Sequence, residues 1–226
     1  MLRLMKWLML ALILITDAVW AASSVTIGGV TIVVPPPSGL QNAQPTAPQL
    51  AADASALVTK NSRFLMLFVP PDALREYVGG NKSVYLPRYA MLMLEGSIGS
   101  KVETRVLPDE FKRIQGDLEK RLGTLFTPEI EKKVNESQAT KNAGAKLEIS
   151  NKSRIIAKGV NYISNDFSSN VTSGGTVGKI YGVSTLVLIK DKLLTLNMYY
   201  NPPSQQDIKD AGNAAALWAK EITAAN

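Results

Sequence analysis

The sequence predicts an α+β fold in which an antiparallel β-sheet is flanked by helices. Three observations predict it. Strand patterns and helix patterns are mixed along the chain. Two apolar runs, Gly182–Ile189 and Leu193–Tyr200, are joined only by Lys190-Asp191-Lys192, so they pair as a hairpin. A final helix then carries Ile208, Ala211, Ala215, Trp218 and Ile222 at spacings of three and four, one apolar stripe with a sheet to cover.

Composition bounds the chemistry. The 226 residues are 46% hydrophobic and 19% charged, which is the balance of an ordinary globular chain. The length suits one domain. There is no Cys and no His. Disulfides, thiolate nucleophiles, iron–sulfur ligation and a lipoprotein anchor are therefore excluded. So are Ser-His-Asp catalysis and imidazole-bound zinc.

Residues 1–21 read as a signal peptide. Arg3 and Lys6 form a positive start, residues 7–16 form an apolar run of ten, and Val19-Trp20-Ala21 places small residues for cleavage near Ala21. A spanning helix needs about 20 apolar residues, and Asp17 ends this run at half that. The expected mature chain is a single domain over 22–226, soluble, in the periplasm or secreted. Losing residues 1–21 removes two cations and one anion, taking the net charge from +6 to +5. The cations are scattered among carboxylates rather than clustered on one face, so nucleic acid is not an expected partner.

The elements follow in order. Val25–Val34 is β-branched and partly alternating, which predicts a strand ended by Pro35-Pro36-Pro37. Residues 41–48 read as a connector, and 49–58 as a short Ala-rich helix. Phe64–Val69 predicts a strand buried on both faces. Pro71–Tyr77 predicts a helical turn stopped at Gly79-Gly80. Arg88–Ile98 predicts a strand with Tyr89, Met91 and Met93 on one face and Ala90, Leu92 and Leu94 on the other. Asp109 is the expected cap of a helix whose stripe is Phe111, Ile114, Leu118 and Leu122, with Asp109–Arg113 and Asp117–Arg121 as pairs on its wet side. Thr127-Pro128-Glu129 opens a second, polar helix. Leu147–Ile163 predicts one or two strands, and Asn165–Gly178, rich in Asn, Ser and Gly, predicts a loop. Ser204 and Asp207 form a capping box before the last helix.

The order of these patterns resembles the PsbP-like superfamily. It is carried by Val30-Thr-Ile-Val-Val-Pro-Pro-Pro-Ser-Gly-Leu40, by Phe64–Val69 followed by the helix at 109–122, and by Leu193–Tyr200 followed by the Trp218 helix. That α/β/α sandwich is the fold of the photosystem II extrinsic protein and of a Ran-binding import factor. The resemblance implies an α/β/α sandwich and a binding, assembly or accessory protein rather than an enzyme. It supplies no catalytic residue, and the insert at 127–145 departs from the minimal pattern.

Candidate chemistry is sparse. Asp109-Glu110 and Glu129 with Glu131 are paired carboxylates of the kind a glycoside hydrolase uses, but both pairs fall in first helical turns, where the helix dipole favours acids. Lys152-Ser153 is a Ser/Lys pair with no sign of the burial such a dyad needs. Gly28-Gly29 and Gly174-Gly175 fit no phosphate loop. Tyr89, Met91, Met93 and Met198 are the candidate lining of an apolar pocket, against the plainer role of core filling. Lys152, Arg154 and Lys158 recur at even spacing, so a strand would set them on one face as an anion- or partner-facing patch. The expected function is therefore an exported, non-enzymatic binding or accessory protein of the bacterial cell envelope, acting on another envelope or secreted protein, with a toxin-immunity protein as one concrete form. No cofactor is implied. The competing expectations are a carrier of a small apolar ligand or lipid, and a carboxylate- or Ser/Lys-based hydrolase.

Overall fold

The opening β-branched run folds as a hairpin rather than as one strand. A computed structural model describes residues 22–56, 58, 62–95, 105–122, 132, 135–136, 145–149, 153–173 and 175–226. In it β1 (Ser23–Ile27) pairs antiparallel with β2 (Val30–Val34). The turn between them is Gly28-Gly29, with φ of 54° and 77°. A two-residue turn that matches the twist of its strands needs φ above zero at both positions, which glycine adopts without strain. The single strand expected over Val25–Val34 is corrected accordingly.

The remaining strands form one antiparallel sheet: β3 (Gln41–Asn42), β4 (Ser62–Val69), β5 (Arg88–Glu95), β6 (Ala145–Ile149), β7 (Ile155–Lys158), β8 (Tyr162–Ser173), β9 (Thr176–Ile189) and β10 (Lys192–Tyr200). Their order is β3-β4-β5-β10-β9-β8-β6, with β7 also paired to β8. The fold class expected from sequence is the one observed, a mixed α+β fold with helices on both faces of the sheet. The hairpin turn between β9 and β10 is Lys190-Asp191 alone, with φ of 47° and 62°; Lys192 already belongs to β10.

The loop expected over Asn165–Gly178 is instead most of a long hairpin. β8 and β9 stay in register from Tyr162↔Val187 to Ser173↔Thr176. Asn and Ser disfavour strands by competing for backbone hydrogen bonds. Here a ladder on both sides of β8 satisfies the backbone, so the polar side chains do not break it. Ser164 and Thr185 are both buried and their hydroxyls bond across the strands at 2.8 Å.

Four helices are described: α1 (Pro48–Ala56), α2 (Pro71–Val78), α3 (Pro108–Arg121) and α4 (Gln205–Ala224). The helix expected from Thr127 falls largely outside the described residues. In α3 the cap differs from expectation. Leu107 stands at the N-cap with Pro108 next, and Glu110 accepts the Leu107 N–H at 2.7 Å. Asp109 faces Lys112 at 3.6 Å rather than Arg113. The Ser204 capping box of α4 forms as expected, with Asp207 N–H donating to Ser204 Oγ at 3.0 Å.

Each face of the sheet has its own core. On one, α4 and the β1–β2 hairpin cover Leu92, Val183, Leu194, Leu196 and Met198. On the other, α1 and α2 cover Leu67, Val69, Met91 and Met93, while Phe111 of α3 covers Ile163 and Leu193. The last residue fastens the hairpin to α4. The Asn226 amide accepts the Val33 N–H at 2.9 Å and donates to the Val33 and Ile222 carbonyls, both at 2.7 Å. It acts as one more ladder rung on β2. Asn226→Ala is expected to cost about 2–3 kcal/mol, at about 1 kcal/mol net for each of the three bonds lost. Amide hydrogen exchange at Val33 would then accelerate, while exchange in β10 would change only by the global loss.

Candidate functional site

The alternation of β8 sets the site. Its even residues, Tyr162, Ser164, Asp166 and Ser168, lie on the α4 face, since Tyr162 joins the core there. That parity carries a carboxylate, Asp166, into a nearly closed position, with its residue 4% exposed. A buried carboxylate is costly unless it is paired and hydrogen-bonded. Asp166 is both. Arg154 donates from Nε to Oδ2 at 2.8 Å and from its backbone N–H to Oδ1 at 2.9 Å. The Tyr181 hydroxyl donates to Oδ2 at 3.2 Å. Main-chain contacts hold the same corner: Asp166 N–H donates to the Arg154 carbonyl at 3.0 Å, and Ser153 Oγ donates to the Asp166 carbonyl at 2.6 Å.

The Arg154 guanidinium, by contrast, stays open. Its side chain is 70% exposed while that of Asp166 is 6% exposed. Two open grooves flank it. One, of about 440 Å³, is bordered by Ser153, Asp166, Tyr181, Lys179 and Ile208. The other, of about 350 Å³, runs along Ile155, Ile156 and the α4 residues Lys209 and Gly212. Arg154 and Ile208 line both, so the two make one trough beside the first turns of α4.

The cluster shifts its own protonation. Burial, and then the negative Asp166, push the Tyr181 hydroxyl up to about 12. Burial alone pushes Tyr89 up to about 12 as well, and burial first, opposed by Arg88 and aided by Asp207 and Asp210, raises Tyr200. Below the ordinary tyrosine value of about 10 both folded and unfolded chains hold these protons. Between that value and about 12 the unfolded chain ionises first, so stability is lost as pH rises through this window. A tyrosinate absorbance titration is expected to show late-ionising tyrosines, and Tyr181→Phe to remove one of them. Urea midpoints measured across the same range should fall.

The sequence-derived candidates are dispersed by the structure. Lys152 lies outside the described residues. Arg154 and Lys158 do not share a face. A bulge between Ile155 and Ala157 breaks the alternation of β7, so Arg154 meets Asp166 on the α4 side while Lys158 reaches Glu119 of α3 at 2.7 Å. The apolar pocket also separates. Tyr89, Met91 and Met93 sit on the α2 side, but Met198 pairs with Ala90 and so lies on the α4 side. Met91, Met93 and Met198 are all buried in packed core. Tyr89 instead stacks on Tyr199 at 4.7 Å between ring centroids.

The candidate acids are occupied as well. Asp109 is an exposed partner of Lys112, and Glu110 caps α3. Glu129 and Glu131 lie outside the described residues. Ser153 donates its proton to a backbone carbonyl, which is a structural use of the hydroxyl. Among the described residues no three acidic side chains gather to hold a metal ion. Sequence reasoning missed Asp166, Tyr181, Lys179 and Lys209. The available signal was a lone acid at an alternate position of a polar run, and it is visible only once that run is known to be a strand.

What the arrangement can do is bind. It presents a braced cation, with two lysines nearby, in a trough with apolar walls. No family model and no curated protein matches the chain. Among solved structures it is similar to a crystal structure of the Saccharomyces cerevisiae Ran-binding protein Mog1p and to a structure of a Mog1 point mutant. Each is 12% identical, covers 91% of this chain and 92% of its own, and has a TM-score of 0.32. The resemblance to the PsbP-like superfamily is corrected by these findings: no family model supports it, and the solved structures named are those of a Ran-binding protein.

Proposed function

We propose that the protein is an exported, non-enzymatic binding protein of the bacterial cell envelope that works through protein–protein contact. The single observation that carries this reading is Arg154. A buried carboxylate holds a guanidinium whose side chain is 70% exposed, in an open trough. A cation braced in this way presents donors in a fixed geometry and loses little side-chain freedom on binding. Export rests on the pattern of residues 1–21. Among the described residues no helix is long and apolar enough to cross a membrane. The non-enzymatic reading rests on the absence of Cys and His and on the structural use of Glu110 and Ser153. The apolar-carrier reading loses its support because the methionines fill two separate cores.

The test is affinity capture with residues 22–226 on envelope extract of the native host, read by mass spectrometry and repeated with purified components. A stoichiometric protein partner is the expected result, and a toxin neutralised by this chain would identify the immunity form. A co-purifying lipid or small molecule with no protein partner would overturn the reading.

A further inference from the structure

The trough is asymmetric in charge and mixed in polarity. Arg154 and Lys179 border one half, and Arg154 and Lys209 border the other. The one carboxylate in its wall, Asp166, is buried and already bonded to Arg154 and Tyr181. The acids in the first turns of α4, Asp207 and Asp210, are not among the lining residues, and their bonds to neutral donors leave their charge in place. Asp207 accepts from Ser204 Oγ at 2.6 Å and Asp210 from Gln206 at 2.7 Å. The residues that line the trough therefore carry three cations against one carboxylate, a surplus of positive charge in the lining itself. Ile155, Ile156 and Ile208 supply apolar wall beside the cations.

We infer that this trough seats an extended acidic segment of the partner protein, with a carboxylate side chain on Arg154 and a neighbouring apolar side chain against Ile156 and Ile208. The inference rests on the protein-binding reading and specifies which chemistry does the binding. Arg154 meets Asp166 through Nε, and the outer part of the guanidinium reaches solvent. An arginine fork of this kind matches a second carboxylate in a paired geometry, which an ammonium cannot reproduce. The trough continues on both sides of the cation and has apolar walls. That shape fits a run of residues better than a compact anion. Lys179 and Lys209 add attraction at longer range and raise the association rate more than the affinity.

The test uses residues 22–226 and three labelled peptides of equal length, with alternating Glu and Leu, Gln and Leu, or Lys and Leu, read by fluorescence anisotropy at low salt. The Glu-Leu peptide is expected to bind saturably, at least about tenfold tighter than the Gln-Leu peptide, with no binding of the Lys-Leu peptide. Arg154→Ala should weaken the Glu-Leu peptide about tenfold or more, a difference of about 1.4 kcal/mol. Arg154→Lys should recover only part of this, because it keeps the charge and loses the fork. Lys158→Ala, on the opposite side of the sheet, should leave binding unchanged. Circular dichroism melts check that each variant folds. If Arg154→Ala unfolds the chain, Lys179→Ala combined with Lys209→Ala tests the trough by stopped-flow anisotropy instead: slower association of the Glu-Leu peptide is expected, and an unchanged association rate would overturn the inference.

Equal binding of the Glu-Leu and Gln-Leu peptides would overturn the inference. So would Arg154-dependent binding of anionic phosphatidylglycerol vesicles without peptide binding, which would assign the trough to a lipid surface. A captured protein partner that Arg154→Ala fails to release would also overturn it, while leaving the protein-binding reading in place.

Discussion

Replacing Trp218 with alanine is expected to lower the stability of residues 22–226 by about 3–5 kcal/mol. Its residue is 1% exposed, and its ring meets Phe68 edge-on at 5.5 Å between centroids. Its indole N–H donates to the Pro35 carbonyl at 2.9 Å. One side chain therefore ties α4 to the C-terminal end of β4 and to the end of the β1–β2 hairpin. Domains of this size are stable by only about 5–15 kcal/mol, so Trp218→Ala removes a large fraction of the total. Trp218→Phe separates the two contributions. It keeps most of the apolar body and leaves the Pro35 carbonyl without its donor, for a loss of about 1–2 kcal/mol beyond the change in volume. Urea denaturation followed by circular dichroism measures both. Trp218 is the sole tryptophan after residue 21, so fluorescence reports on the wild type alone. A loss below about 1 kcal/mol for Trp218→Ala would mean that α4 is not integral to the fold, contrary to the packing described above.

The parts of this fold that were legible in the sequence are those where local chemistry and tertiary context agree. α4 is one. Ser204 and Asp207 mark its start, and Ala211, Ala215, Trp218 and Ile222 repeat at helical spacing and are buried. The β9–β10 hairpin is another, because alternation and a short polar turn give the same answer. The β8–β9 hairpin was not legible. Asn165, Ser168, Ser169 and Asn170 carry loop chemistry, and only neighbouring ladders override it. Gly28-Gly29 sits inside a run whose β-branched residues concealed a turn.

The site was half legible for a related reason. Arg154 could be singled out by charge, but nothing local joins it to Asp166 or to Tyr181. That connection is made by strand register, with Ser168 opposite Tyr181 and Asp166 opposite Val183. Even spacing within 152–158 argued that three cations share a face, and the bulge at Ile155/Ala157 cancelled it. Parity is a property of each strand, whereas the face it presents depends on pairing. The same point separates Met198 from Met91 and Met93: each strand alternates as expected, and the Met198↔Ala90 pairing assigns them to opposite cores.

Asp166→Ala is expected to have the second large effect, about 3 kcal/mol, and to act on both stability and the trough. The substitution takes the acceptor from three donors: Arg154 Nε, the Arg154 backbone N–H and the Tyr181 hydroxyl. Their losses are unequal. The guanidinium is 70% exposed, so water replaces much of what Asp166 supplied, and its share is small. The Tyr181 hydroxyl and the backbone N–H are left unpaired in a closed corner, at about 1–3 kcal/mol each. Tyr181→Phe removes one of those donors together with the need for an acceptor, and alone should cost about 1 kcal/mol. In the Tyr181→Phe background, Asp166→Ala should then cost less by about 1 kcal/mol, a coupling that a double-mutant cycle in urea reads directly. The cycle also bears on binding. If Asp166 and Tyr181 brace Arg154, both single variants keep the trough's positive charge yet weaken the Glu-Leu peptide, with Asp166→Ala the more damaging despite its gain of one positive unit. Additive stability losses, together with tighter peptide binding by Asp166→Ala, would show net charge rather than a fixed guanidinium to be what the trough offers.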